Sequence, residues 1–113
     1  MELDRTLVAL ADPTRRGVVD LLRHGPRRAG ELAAALQVSP PALSRHLRVL
    51  RQGGLVEEER PEGDARHRVY RLRRQPFHGL QRWLARVEDF WAGELDAFKR
   101  HAESTRGKRR VRA

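Results

Sequence analysis

Ser44, Arg45 and Arg48 are the side chains whose type and spacing best suit chemistry, and that chemistry is hydrogen bonding to nucleic acid. They lie in residues 39–52, SPPALSRHLRVLRQ. Leu43, Leu47 and Leu50 fall at i, i+4 and i+7 there, so on a helix they share one face. At about 100° per residue, Pro41, Ser44, Arg45, Arg48 and Gln52 fall on the opposite side. Burying the leucines turns Arg45 and Arg48 outward. An outward guanidinium can fork two hydrogen bonds to guanine O6 and N7, worth about 1–3 kcal/mol against the wrong base. Ser44 can meet a base or a phosphate, and Arg51, at the edge of the face, suits phosphate. A basic helix face taken alone is ordinarily a solvated one, so the neighbouring elements decide its meaning.

Those neighbours read as follows. Leu32, Ala33, Ala35 and Leu36 recur near the helical period, and the small Ala33 lets a crossing helix approach. Gln37, Val38 and Ser39 form a turn, with Ser39 as N-cap and Pro40 and Pro41 in the next helix's first turn. Gly53 and Gly54 stop that helix. Residues 55–60 and 66–72 then read as strands joined by the turn-rich stretch 61–65. Tyr70 and Leu72 alternate with Val69 and Arg71, which turns the first two toward the core. Two short helices around a tight turn make a helix-turn-helix, whose second helix can enter the DNA major groove, and the hairpin after it is a wing. The expected class is mainly α with a small β-hairpin, in the order α-α-α-α-β-β-α. Arg60, Arg66 and Arg68 are available on the wing for phosphate. Glu57, Glu58 and Glu59 oppose them, partly neutralised by pairing with Arg66, Arg68 and Arg71. The DNA-contacting set is thus Ser39, Pro41, Ser44, Arg45, Arg48, Arg51, Arg60, Arg66 and Arg68. His46, at the margin of the leucine stripe, reads as a packed structural histidine.

From residue 10 to 72 the chain resembles the winged-helix repressors of the ArsR/SmtB family. LADPTRR (10–16), SPPALSRHLRVL (39–50) and GLV (54–56) carry the resemblance. It implies a homodimeric bacterial repressor on an inverted repeat, with the helix starting near Pro40 as recognition helix. By position, Pro41, Ser44, Arg45 and Arg48 match the family's groove-facing residues, and the wing arginines match its backbone contacts. The chain departs from the family's metal sensors. It has no cysteine, and Glu31 to Ala35 offer no soft ligand where sensors carry one. His78, Glu88, Asp89, Glu94, His101 and Glu103 on the last helix lack the Asp-x-His and His-x-x-Glu/His spacing. His101 and Glu103, two apart, fall on different sides of a helix. No metal and no cofactor is expected, and any effector is unassigned.

Length and charge agree with one small domain. The 113 residues bury a modest core, and dimerisation would enlarge it. No apolar run approaches the ~20 residues of a membrane span, and the first ten residues lack a signal peptide's apolar core. A cysteine-free chain of this kind fits the cytoplasm. Of the net charge of +9, residues 106–113 carry +5, so the basic balance argues less for nucleic acid than the helix face does. Residues 1–105 read as the domain. Residues 106–113 read as a basic, disordered tail that is mainly solvating, with non-specific attraction to nucleic acid as the other reading.

The rest of the chain points to dimerisation. Leu3, Leu7 and Leu10 form a stripe on a first helix. Asp12 and Pro13 start a second, whose buried face is Val18, Leu21 and Leu22. From Pro76 one long helix carries Leu80, Leu84, Val87, Trp91, Leu95, Phe98 and Ala102 in steps of three and four, a seam about 33 Å long. Trp83 and Phe90 widen it. One short helix of the same chain cannot cover such a seam. Leu3, Leu7, Leu80, Leu84, Val87, Trp91, Leu95 and Phe98 are therefore expected at a homodimer interface made by the terminal helices. Two other classes stay open: a sequence-tolerant architectural DNA binder, and a protein-interaction module using the aromatic helix. No Gly-rich phosphate loop, cysteine nucleophile or paired carboxylate supports an enzyme.

Overall fold

Among the described residues, caps and apolar runs mark out eight elements. The computed structural model describes residues 2–59 and 68–112, with side chains described through residue 105. In order these are α1 (Glu2–Ala9), α2 (Pro13–Leu22), β1 (Arg27–Arg28), α3 (Ala29–Leu36), α4 (Pro40–Gln52), β2 (Val56–Glu59), β3 (Val69–Leu72) and α5 (Gln75–Arg112). They form two compact units, Met1–Leu80 and Gln81–Ala113.

The LADPTRR segment joins α1 to α2. Asp12 is extended, and its carboxylate accepts from the amides of Thr14 (2.8 Å) and Arg15 (3.1 Å), with Pro13 at the first helical position. That satisfies donors a helix start leaves orphaned. Arg15 reaches back, donating from Nε to the Ala9 carbonyl (2.7 Å) and from Nη2 to the Val8 carbonyl (3.1 Å). Arg16 donates to the Leu10 carbonyl at 2.7 Å. The carbonyls at the end of α1 are thus satisfied by side chains of α2.

The helices α3 and α4 end in the same bonding pattern. Gln37 takes the left-handed conformation at φ 56°. Its amide donates to Ala34 at 3.3 Å, and that of Val38 to Ala33 at 3.1 Å. After α4, Gly54 has φ 75°. Its amide donates to Arg51, and that of Leu55 to Leu50, both at 3.0 Å. Paired bonds of this kind satisfy the last carbonyls and reverse the chain. Glycine suits the second site, whereas Gln37 bears the steric cost of a Cβ there. At the start of α4, the extended Ser39 accepts from the Ala42 amide at 3.3 Å, with prolines in the first turn.

The core of the first unit draws on α1 to α4 and on both long strands. Ala9, Val18, Val19, Leu22, Leu32, Ala33, Leu43, Leu47, Leu50, Leu55, Val56 and Tyr70 are buried together. The leucine stripe of α4 is inside as the spacing requires, while Ala35 of α3 is exposed and Leu36 only half-buried. On α1 the expected face shifts. Thr6 and Ala9 are the buried residues, Leu3 and Leu10 are half-buried and Leu7 is exposed. The small Thr6 is tolerated there because its hydroxyl donates to the Glu2 carbonyl at 3.0 Å, and the leucines are left at the margin.

The hairpin has a third strand beside it. The order is β1-β3-β2, all antiparallel, with Val56 opposite Leu72, Glu58 opposite Tyr70, and Arg27 opposite Tyr70 from the other edge. Two arginines carry no apolar alternation, so β1 exists only because β3 offers a free edge. The tip, residues 60–67, lies outside the described residues, and so do Arg60 and Arg66.

The second unit is α5 beyond Leu80. Its backbone stays helical through Arg112, so residues 106–112, expected as a disordered tail, continue the helix. Apart from Gly107 they are residues compatible with a helix, and no proline interrupts them. The apolar residues of this stretch are largely bare, from 37 % exposed at Trp83 to 72 % at Phe98, with Phe90 and Trp91 edge to face at 5.9 Å. Val87 is half-buried. Among the described residues no helix is long and apolar enough to cross a membrane.

Candidate nucleic-acid interface

The outward face of α4 assembles from the inward one. Leu43, Leu47 and Leu50 are at most 2 % exposed, which fixes the helix's rotation. Ser39, Pro41, Ser44, Arg45, Arg48, Arg51 and Gln52 are all exposed as a result. Arg45 and Arg48 have no ion-paired or hydrogen-bonded partner among the described residues. Their guanidinium forks are free to meet base edges. Ser39 already accepts from a backbone amide as a cap, and its hydroxyl proton can still be donated to a phosphate.

The wing divides its charges between two faces. Strand alternation puts Glu57 and Glu59 on one side and Glu58 on the other. Arg71 pairs with both of the first two, donating from Nε to Glu57 at 3.0 Å and lying 2.9 Å from Glu59. The Glu57 hydrogen bond, with both carboxylates nearby, holds Arg71 charged beyond its ordinary range. Glu58 shares the inner side with Val56 and Tyr70, and its side chain is only 7 % exposed. Arg51 Nη1 approaches it at 3.1 Å and Arg68 Nε at 3.2 Å. Arg68, expected as a wing phosphate contact that also offsets the strand's carboxylates in part, is paired here with Glu58. Arg51, expected as a free phosphate contact, is committed to the same carboxylate. A groove of about 770 Å³ runs between the end of α4 and β2, lined by Arg48, Arg51, Gln52 and Arg73 along with the strand. Arg73 was not anticipated there. Its place after β3 reads from sequence as a loop position.

Below the face sits His46. Half-buried, its Nδ1 lies 3.4 Å from Arg15 Nη1 and 3.9 Å from the Asp12 carboxylate. The histidine therefore braces α4 against the start of α2, the structural role expected of it. Hydrogen bonds from the Arg15 and Thr14 amides, helped by the nearby His46 and Arg15, pull Asp12 below its ordinary carboxylate range against a smaller opposing desolvation. Among the described residues no three histidines, cysteines or carboxylates cluster as metal ligands would.

A helix-turn-helix with an outward basic second helix and a strand pair behind it defines a winged helix-turn-helix DNA-binding protein. Comparison with known proteins gives the same class. The model of the arsR family of bacterial regulatory proteins matches residues 12–58. The chain is 44% identical over 101 residues to the HTH-type transcriptional regulator Rv2034 of Mycobacterium tuberculosis, covering 89% of each. An ArsR-like transcriptional regulator from Rhodococcus superposes with a TM-score of 0.73 at 33% identity, over 91% of this chain and 92% of that one. A homodimeric winged helix-turn-helix DNA-binding domain from Mycobacterium bovis, described as a possible ArsR-family regulator, gives 0.62 at 30% identity, over 78% and 79%. The chain belongs to the arsR family of bacterial regulatory proteins. It is a transcriptional regulator and not an enzyme.

Proposed function

We propose that the protein acts as a homodimeric repressor that binds an inverted-repeat operator. The carrying observation is the pair of exposed guanidiniums, Arg45 and Arg48, without a partner among the described residues and on the side of α4 opposite three buried leucines. In this reading α4 enters the major groove. Arg45 and Arg48 read bases, with Ser44 and Pro41 beside them. Ser39, Arg51 and the wing arginines Arg60, Arg66 and Arg68 face the phosphates.

The bare apolar side of α5 supports the dimer. Leu84, Trp91, Leu95 and Phe98 are each exposed by 46 % or more, and a single-chain surface of this kind favours a second copy of itself. The similarity to a domain described as homodimeric supports the same assembly. Leu3, Leu7, Leu80 and Val87 extend that interface. Two α4 helices would then sit about 34 Å apart, one turn of the duplex. Repression follows by occluding a promoter, its own included, in the cytoplasm where bacterial DNA lies. Residues 1–105 serve as the binding and dimerising part, with the basic residues beyond adding non-specific attraction at most.

Selection of bound sequences from a random duplex pool, with the protein's mass in solution measured alongside, tests the proposal. An enriched inverted repeat with half-sites one turn apart and a mass of two chains is the expected result. No enrichment over random duplex would leave a sequence-tolerant architectural binder, and a monomer that binds DNA weakly would leave an interaction module.

A further inference from the structure

Glu58 is the one member of the three-glutamate run that strand alternation turns inward, beside Val56 at 2 % and Tyr70 at 5 % exposure. A carboxylate with only 7 % of its side chain exposed loses most of its hydration. Such burial is tolerable only when cations replace the water. Arg51 at 3.1 Å comes from the last turn of the recognition helix, and Arg68 at 3.2 Å from the residue before β3. Both arginine side chains remain about half exposed, at 49 %. The acid therefore stands between two half-exposed arginine side chains, one on α4 and one at the root of the wing.

Free arginines on flexible stems follow any phosphate, which favours every duplex equally. Arginines pinned by a shared carboxylate do not. Their remaining donors point in set directions, and the net charge of the trio falls from +2 to +1. We infer that Glu58 is a positioning residue for DNA recognition, holding Arg51 and Arg68 so that they take phosphates only when the duplex sits in register. By the same pairing it lowers the attraction of this surface for unrelated sequence. The inference rests on the reading of α4 and the wing as the DNA-binding face.

The test measures Kd for the selected operator and for random-sequence duplex across a salt series, in the wild type, E58Q and R68Q, with R45A in parallel. Gln keeps the shape of Glu58 and removes its charge. E58Q is expected to tighten binding to random duplex and to steepen its salt slope by about 0.9 for each additional phosphate neutralised. The operator-to-random ratio then falls several-fold. R68Q, which leaves the Arg51–Glu58 pair in place, is expected to weaken the operator more than random duplex. Proportional changes in both affinities with unaltered salt slopes in E58Q would mean that Glu58 only supports the fold, and would overturn the inference. Should E58Q not fold, R68Q decides, because equal weakening on both duplexes contradicts positioning. R45A separates the two levels. If R45A relaxes base preference while E58Q leaves the ratio unchanged, the role of Glu58 alone is wrong. If R45A changes nothing, the DNA-binding face is misassigned and this inference goes with it.

Discussion

Arg45→Ala is the sharpest probe of the proposed reading helix. The residue is exposed and has no partner among the described residues, so its removal leaves no buried charge behind. Folding stability should move by no more than about 0.5 kcal/mol. The effect on DNA is of another size. A bidentate arginine–guanine pair discriminates by about 1–3 kcal/mol. In a dimer each half-site loses one such pair, and distant sites add, so the operator complex weakens by about 2–6 kcal/mol. The lower end already corresponds to roughly 30-fold in Kd. Binding to random duplex, which rests on phosphate charge, changes far less. Fluorescence anisotropy on the operator, on an operator altered at one symmetric base pair, and on random duplex reads all three. The variant should also lose its preference at one symmetric position. Equal weakening on all three duplexes would show that Arg45 meets only phosphate, and the rotation assigned to α4 in the groove would be refuted.

Gln37→Gly relieves the left-handed backbone at φ 56°. It should stabilise the fold by about 0.5–1 kcal/mol after the added chain entropy of glycine, visible as a higher thermal midpoint. Asp12→Asn keeps a good cap but removes the charge. Because the folded pKa of Asp12 lies below its ordinary 3.8, the advantage of the wild type is fully present above that ordinary value. It is lost as the pH falls through the lower folded one. Urea midpoints of the two proteins should therefore differ near neutrality and converge in acid. Trp91→Asp places a charge on the bare face of α5, where the ring is 59 % exposed. Sedimentation should show single chains with unchanged helix content and lost operator binding, whereas an intact dimer would contradict the proposed interface.

How much of this was legible depended on whether a residue's role is decided locally. Leu43, Leu47 and Leu50 announce their face because one helix turn fixes their relation. The burial of α4 and the exposure of Arg45 and Arg48 follow from that arithmetic alone. Asp12, Pro13 and Ser39 declare the helix starts in the same way. The wing resisted, because Glu57, Glu58 and Glu59 look alike in sequence. Only the register against Val69 and Tyr70, together with the arrival of Arg51 from another element, singles out Glu58. β1 was hidden for a similar reason, since an Arg-Arg pair becomes a strand only through the edge it meets. On α1 the leucines drew attention by size, yet the neighbouring helices accommodate the smaller Thr6 and Ala9.

The way α1 is fastened bears on how the chain can be cut. Its closing turn has no basic residue of its own, and the donors that complete it, Arg15 and Arg16, belong to the helix that follows. A shortened version beginning at Asp12 would keep the whole helix-turn-helix but remove the three carbonyls that those guanidiniums meet at the end of α1. The converse loss, with both arginines replaced, would leave the first helix attached by sequence yet untied at its end. The opening eleven residues are thus an integral tenant of the fold rather than a dispensable extension, and engineered versions should retain them together with that arginine pair.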